Sequence, residues 1–326
     1  MNDHTPRRLR GWADWGISAV NGVVGDYLYR RGNGLAIDMA LYHQGRRLTL
    51  TSDALRATHP DATSRVAVFV HGLGCNEGTW LYPDRNTPGA RTSYGQQLQR
   101  DLGYTPFYLR YNTGLAIADN GARLVALLDA LWAIYPVPVE DLVLVGHSMG
   151  GLTLRVACHL AAGQGARWLP ALRHVIYLGT PHDGALLARL GGLTVTTLHA
   201  IPDPVTRMVG DVVDLSSQGI KDLARGAAVE GQPLTWHSDA EHHLIAATLA
   251  SDADSPLAAF IGDGLVSLPA AHAASHVPGD TEYIAPIHTH HLPGRNHLRL
   301  VNDPAVYEHI RAACAGTPNG GASDGF

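Results

Sequence analysis

Residues 146–151 read Gly-His-Ser-Met-Gly-Gly, directly after the apolar run Leu142-Val143-Leu144-Val145. A Gly-x-Ser-x-Gly pattern between a buried strand and a helix exposes a serine hydroxyl on a tight turn, where it can serve as a nucleophile. Glycine at 146 and 150 removes side chains that would crowd that turn. Leu152 to Ala162 then suits a helix ended by Gly163. Turns of this kind also occur where a strand and a helix only pack, so Ser148 has to be judged by its partners.

A serine hydroxyl is a weak nucleophile until a base takes its proton, and that base needs an orienting acid. In the large fold class that places its nucleophile on such a turn, the chain order is Ser, then Asp or Glu, then His. The candidate bases are His288, His290 and His291 in Ile-His-Thr-His-His, and His297 in Gly-Arg-Asn-His-Leu. His297 is the expected base, because it lies in a loop beyond the last strand and just before a helix. His288 and His290 alternate on one strand face and could bind a metal. No nearby Cys or carboxylate completes a ligand set, so a surface or packing role is expected and no metal. Among the acids, Asp263 stands between Gly262 and Gly264, which let the backbone turn sharply and point one carboxylate inward. Asp252 and Asp254 sit in a polar turn and are expected to face water.

A developing oxyanion needs two preorganised backbone N–H donors. One is expected from Met149, the residue after the nucleophile. The other is expected from Leu73 in His71-Gly72-Leu73-Gly74, where flanking glycines permit unusual backbone angles. Substrate is expected to meet His71, Gly72 and His147 near the serine, and Leu186 and Met208 from above. Cys75, close to this loop, carries no mark of activation and reads as a bystander.

The elements that must position these residues can be read from the pattern of apolar runs. Arg65–Val70, Thr105–Tyr111, 142–145, Arg173–Leu178, Leu244–Ala250 and Thr281–Ile287 read as strands. Helices are expected over 114–134, after Ser148, and from Val301 onward. Alternating strands and helices imply a mostly parallel sheet with helices on both faces, whose sites form at the carboxyl ends of the strands. Residues of about 183–235 break the rhythm with short helical stretches, two prolines and a Gly-Gly pair, and read as a helical cap insertion. Residues 1–60 read as an N-terminal helical extension packed on the body, 61–315 as the main α/β domain, and 316–326 as a disordered tail.

The composition narrows the function class. The chain has 326 residues, 45% hydrophobic and 16% charged, with a net charge of -5 and no basic run. That excludes an electrostatic nucleic-acid partner. Three cysteines give no disulfide framework and point to a reducing, cytoplasmic setting. Trp12 to Tyr29 carries Asp14, Asn21 and Asp26, so it is neither a signal-peptide core nor a membrane span. Its apolar residues, among them Trp12, Trp15, Val20, Val24 and Leu28, follow helical spacing and suggest an amphipathic helix. A membrane-surface or partner-binding role is the alternative for that helix.

Taken in order, His71-Gly72-Leu73-Gly74, Gly146-His147-Ser148-Met149-Gly150-Gly151, Gly262-Asp263-Gly264-Leu265-Val266 and Asn296-His297-Leu298 resemble the motifs of the α/β-hydrolase superfamily, and within it bacterial lipases and esterases. Gly179-Thr180-Pro181-His182-Asp183-Gly184 is similar to the segment after the following strand in that group. The resemblance spans about residues 65–310 and implies a catalytic triad of Ser148, Asp263 and His297, with no cofactor. Several secreted bacterial lipases carry a calcium-binding Asp two residues after the catalytic His. Arg299 stands there instead, so no calcium is expected at that position. The leading reading is a carboxylic ester hydrolase acting on a small-molecule or lipid ester. A thioesterase, amidase or acyltransferase would use the same triad, and a ligand sensor on the same scaffold is the non-enzymatic alternative.

Overall fold

The computed structural model of the chain describes residues 7–85, 87–182, 217–225, 228–229, 232–234, 236–237, 239–249 and 286–316. Eight strands form one sheet: β1 (Ala40–His43), β2 (Arg46–Arg47), β3 (Arg65–Val70), β4 (Thr105–Arg110), β5 (Asp141–His147), β6 (Leu172–Leu178), β7 (Glu241–Thr248) and β8 (Ile287–Pro293). Their order is β8-β7-β6-β5-β3-β4-β1-β2. The six strands from β8 to β4 run parallel, and β1 and β2 are antiparallel at one edge. This strand order, with Ser148 on the turn between the central strand β5 and the helix after it, is the α/β-hydrolase arrangement.

Successive strand residues point to opposite faces, and the two cores follow that alternation. Val66, Val68, Val70, Leu142 and Leu144 join α4 (Ile117–Ile134) and α5 (Met149–Gln164) through Leu124, Leu128, Leu154 and Ala157. Ala67, Phe69, Val143, Val145, Ile176 and Ile245 face the other way, onto α3 (Tyr94–Leu102) and α7 (Pro304–Ala315). The strands buried on both faces are the near-continuous apolar runs that make this sheet legible in sequence. A short helix, α2 (Ser52–Thr58), covers the β1 side, and α6 (Gln218–Arg225) lies against α1 (Arg7–Arg30) and α4.

Three boundaries differ from expectation. β1 pairs with β4 through Ala40↔Arg110, so the sheet begins inside the segment read as an extension. The last strand is Ile287–Pro293, downstream of 281–287. It is an edge strand, half-exposed along most of its length, so it need not be apolar and its alternating histidines concealed it. The helix after Ser148 runs on to Gln164 and is ended by Gly165 in the left-handed conformation (φ 63°), not by Gly163.

Helix α1 packs on the body through Leu28 and a row of small residues, not through the whole apolar stripe. The buried positions are Ser18, Asn21, Gly22, Gly25 and Leu28, whereas Trp12 and Trp15 are exposed. Small residues let the helix backbone approach the loops after β3 and β4 closely, and Asn21 ties it to the following segment at Leu35 and Ile37. Among the described residues no helix is long and apolar enough to cross a membrane. The cap positions 183–216, Asp252, Asp254, Asp263 and the tail from 317 lie outside the described residues.

Candidate active site

Ser148 adopts φ 54°, ψ −123°, one of only two positive-φ non-glycine residues among those described. Such a backbone costs on the order of 1–3 kcal/mol and persists only where its surroundings over-determine it. They do so here. The Ser148 amide donates to the Leu178 carbonyl at 2.9 Å, and the Gly151 amide donates to the Ser148 carbonyl at 3.0 Å. A Cβ at Gly146 would lie 2.7 Å from Gly151 Cα, and one at Gly150 would lie 2.6 Å from the His71 carbonyl oxygen. Neither glycine is replaceable without moving backbone. The Ser148 hydroxyl makes no cap bond to α5, so it is not spent on the helix. Met149 opens α5, where amides have no intrahelical acceptor.

The loop after β3 lies directly against this turn. A Cβ at Gly72 would sit 3.1 Å from Ser148 Cβ and 3.3 Å from the His147 carbonyl oxygen, so only glycine lets the loop come this close. Gly74 has φ +67°, and its amide donates to Thr113 Oγ1 at 3.0 Å. The Tyr111 hydroxyl donates to the His71 carbonyl at 2.9 Å. His71 itself is fully buried and stacked on Tyr111, with ring centroids 4.7 Å apart. Burial pulls its pKa down to about 4, so the ring is neutral near pH 7. Its place under the loop makes it a brace for Gly72. Among the described residues, no backbone carbonyl accepts from the Leu73 or the Met149 amide. Burial raises the Cys75 thiol to about 11, which leaves it an unreactive thiol.

His297 opens a 3-10 turn, His297–Val301, capped by the Asn296 side chain, which accepts from the Arg299 amide at 3.0 Å. It is buried, and its ring lies 4.6 Å from that of His147 at an interplanar angle of 44°. His147 Nε2 donates to the His297 carbonyl, 3.2 Å away, which fixes the His147 tautomer. Burial, and then the neighbouring His297, hold His147 well below the usual imidazole range, so it stays neutral. Arg295 fastens the turn. Its amide donates to the Thr248 carbonyl at 2.8 Å and its guanidinium to Pro293 and Asp303. Three chain segments, 71–74, 146–151 and 294–301, thus meet at the carboxyl end of the sheet.

No family model and no curated protein matches the chain. Solved structures do. The product of gene lin2722 from Listeria innocua is similar at 16% identity and TM-score 0.49, covering 78% of this chain and 96% of that one. Bacillus licheniformis lipase BlEst2 is similar at 18% identity and TM-score 0.47, with 77% and 91% covered. The RedJ thioesterase of the prodiginine biosynthetic pathway in Streptomyces coelicolor is similar at 17% identity and TM-score 0.44, with 79% and 92% covered.

Of the residues singled out in sequence, Ser148, Met149, His147, His71, Gly72, Leu73 and His297 occur at this meeting point. Asp263, Leu186 and Met208 lie outside the described residues. The supporting residues were not legible. The Gly22 face of α1 lies against Gly74, where a Cβ on Gly22 would be 3.0 Å from Gly74 Cα. Ser18 lies 3.4 Å from Asn76, and Arg110 bridges Asp14 of α1 to Glu77. On the other side, a Cβ at Gly151 would strike Thr180 Oγ1, so that Thr packs onto α5 itself. The one available signal was glycine spacing, since Gly22 and Gly25 sit three residues apart on one helix face.

Proposed function

We propose that this protein is a serine hydrolase of carboxylic esters. Ser148 Oγ attacks the acyl carbon while His297 takes the hydroxyl proton. Collapse of the tetrahedral intermediate expels the alcohol, protonated by His297, and leaves an acyl group on Ser148. Water, deprotonated by His297, then attacks the acyl carbon and releases the acid and free Ser148. Asp263 orients His297 and stabilises its imidazolium. The Leu73 and Met149 amides hold the oxyanion, while Gly72 and His147 border the acyl group and Leu186 and Met208 line its path. His71 acts through Gly72.

The observation that carries this reading is the strained Ser148 turn, pressed so closely by the 71–74 loop that a Cβ on Gly72 would lie 3.1 Å from Ser148 Cβ, with the Leu73 and Met149 amides donating to no backbone carbonyl among the described residues. That arrangement places a nucleophile and preorganised donors together in a site that a packing turn would not need. The test is hydrolysis of p-nitrophenyl esters of rising chain length beside matched thioesters and amides. Esters are expected to be cleaved fastest, and Ser148→Ala is expected to abolish cleavage while keeping the wild-type circular dichroism. Asp263→Ala should cost far more than Asp252→Ala or Asp254→Ala. Full ester cleavage by Ser148→Ala would end the proposal.

A further inference from the structure

The amino ends of the same sheet carry a second cluster, remote from Ser148. His174 lies near the start of β6, Glu241 and His243 open β7, and His288 is the second residue of β8. The register pairs Glu241 with His174 and His243 with His288. Glu241 and His243 are two residues apart, so all four share the sheet face that packs on α7. His290, two residues beyond His288, continues the row to His309 of α7, with ring centroids 4.5 Å apart.

We infer that His174, Glu241 and His243 form a binding site for a divalent transition-metal ion of the zinc class, with His288 holding the carboxylate ligand in place. His174 Nδ1 and His243 Nε2 are 3.3 Å apart, and each lies close to Glu241 Oε2, at 3.6 and 3.5 Å. A tetrahedral zinc with bonds of about 2.0–2.1 Å sets its ligand atoms about 3.3–3.4 Å apart. The three edges lie within about 0.3 Å of the face of such a tetrahedron. Without an ion, the two imidazoles share a hydrogen bond and lie beside the carboxylate, so the three ligand atoms are already gathered around one point. Both imidazoles are buried, so the two nitrogen ligands are held in place by the packing around them. Glu241 is half-exposed and opens the point to solvent, and His288 Nε2 lies 3.4 Å from the same Oε2. Such an outer contact orients a ligating carboxylate. Two imidazoles and one carboxylate suit zinc, with cobalt, nickel and copper as competitors, and suit calcium or magnesium poorly.

An ion here would cross-link β6 and β7 at the end of the sheet opposite Ser148. Ser148 caps the carboxyl end of β5, and its amide bonds Leu178 at the far end of β6 from His174. The ion would therefore act on stability and not on the acyl transfer.

The test is titration of the chelator-stripped full chain with Zn²⁺ by calorimetry, with Tm followed in parallel. One Zn²⁺ per chain and a Zn²⁺-dependent rise in Tm are expected. Glu241→Gln is half-exposed and nearly isosteric, so it should fold, yet lose both effects. His288→Ala should weaken binding by about 10–100-fold. His297→Ala should bind as the wild type does, which separates this site from the catalytic histidine. Co²⁺ should give the visible bands of a four-coordinate ion in the wild type and not in Glu241→Gln. Absence of Zn²⁺ binding, or equal binding by wild type and Glu241→Gln, would overturn the inference.

Discussion

The two ends of one sheet hold their polar residues by different means. At the carboxyl ends the chain itself does the work. Ser148, Gly146, Gly150 and Gly72 sit in contiguous motifs, and the backbone conformation they force sets the geometry. At the amino ends nothing local is required. Arg65, Asp141, His174, Glu241, His243 and His288 stand on neighbouring strands, and inter-strand register, with one shift between β5 and β6 beside His174, brings them together. The first kind of site has no room for a methyl group at Gly146 or Gly150 without backbone movement, and little at Gly72. The second tolerates ordinary backbone everywhere and depends on which strand lies beside which.

The largest effect expected is at the carboxyl end. His297→Ala should lower kcat by about 10⁴–10⁶-fold with little change in Tm, as removal of a triad base does. A loss under about tenfold would remove His297 from the chemistry. Next comes the amino end, where Arg65 binds Asp141 at 3.1 Å, the Tyr104 hydroxyl at 2.9 Å and the Cys314 carbonyl at 2.8 Å. Arg65→Ala strands a buried carboxylate and should cost about 3 kcal/mol in chemical denaturation, leaving kcat near wild type well below Tm. An equal fall in kcat would mean that the two ends are not separable.

Gly72→Ala should follow, with kcat down about 100- to 1,000-fold, because the added methyl would press on Ser148 Cβ and the His147 carbonyl and shift the loop that carries the proposed oxyanion amide of Leu73. An unchanged kcat would show that the loop can give way. A further effect is on acid stability. His71 and His59 are buried with folded pKa values near 4, against 6.5 unfolded. Below pH 6.5 the unfolded chain gains protons that the folded chain refuses. Stability present above that pH should therefore fall by up to about 1.4 kcal/mol per pH unit for each group down to about pH 4. Denaturant midpoints measured across pH 7.5–4.5 test this, and flat midpoints would contradict it.

What could be read from the residues divides along the same line. The central strands were legible because burial on both faces makes them uniformly apolar. The Ser148 turn and the 71–74 loop were legible because their glycines are adjacent in sequence. Register is not written in any short stretch. His174 and His243 are 69 residues apart, and the carboxylate that seemed missing beside His288 is Glu241, which arrives from the neighbouring strand. Edge strand β8 was placed too early because solvent covers much of it, so hydrophobicity says little there. Helix α1 was visible as a helix, but apart from Leu28 its packed face is Ser18, Asn21, Gly22 and Gly25. Close approach to Gly74, Asn112 and Gly114 selected small residues there over the apolar ones that periodicity favours.

The central claim is that the strained turn makes Ser148 a nucleophile served by His297. Incubation with a fluorophosphonate probe, followed by peptide mapping, tests it most directly. A single covalent adduct on Ser148 is expected, absent in Ser148→Ala and slowed by orders of magnitude in His297→Ala. Ester hydrolysis without labelling of Ser148, or labelling at full rate in His297→Ala, would contradict the account.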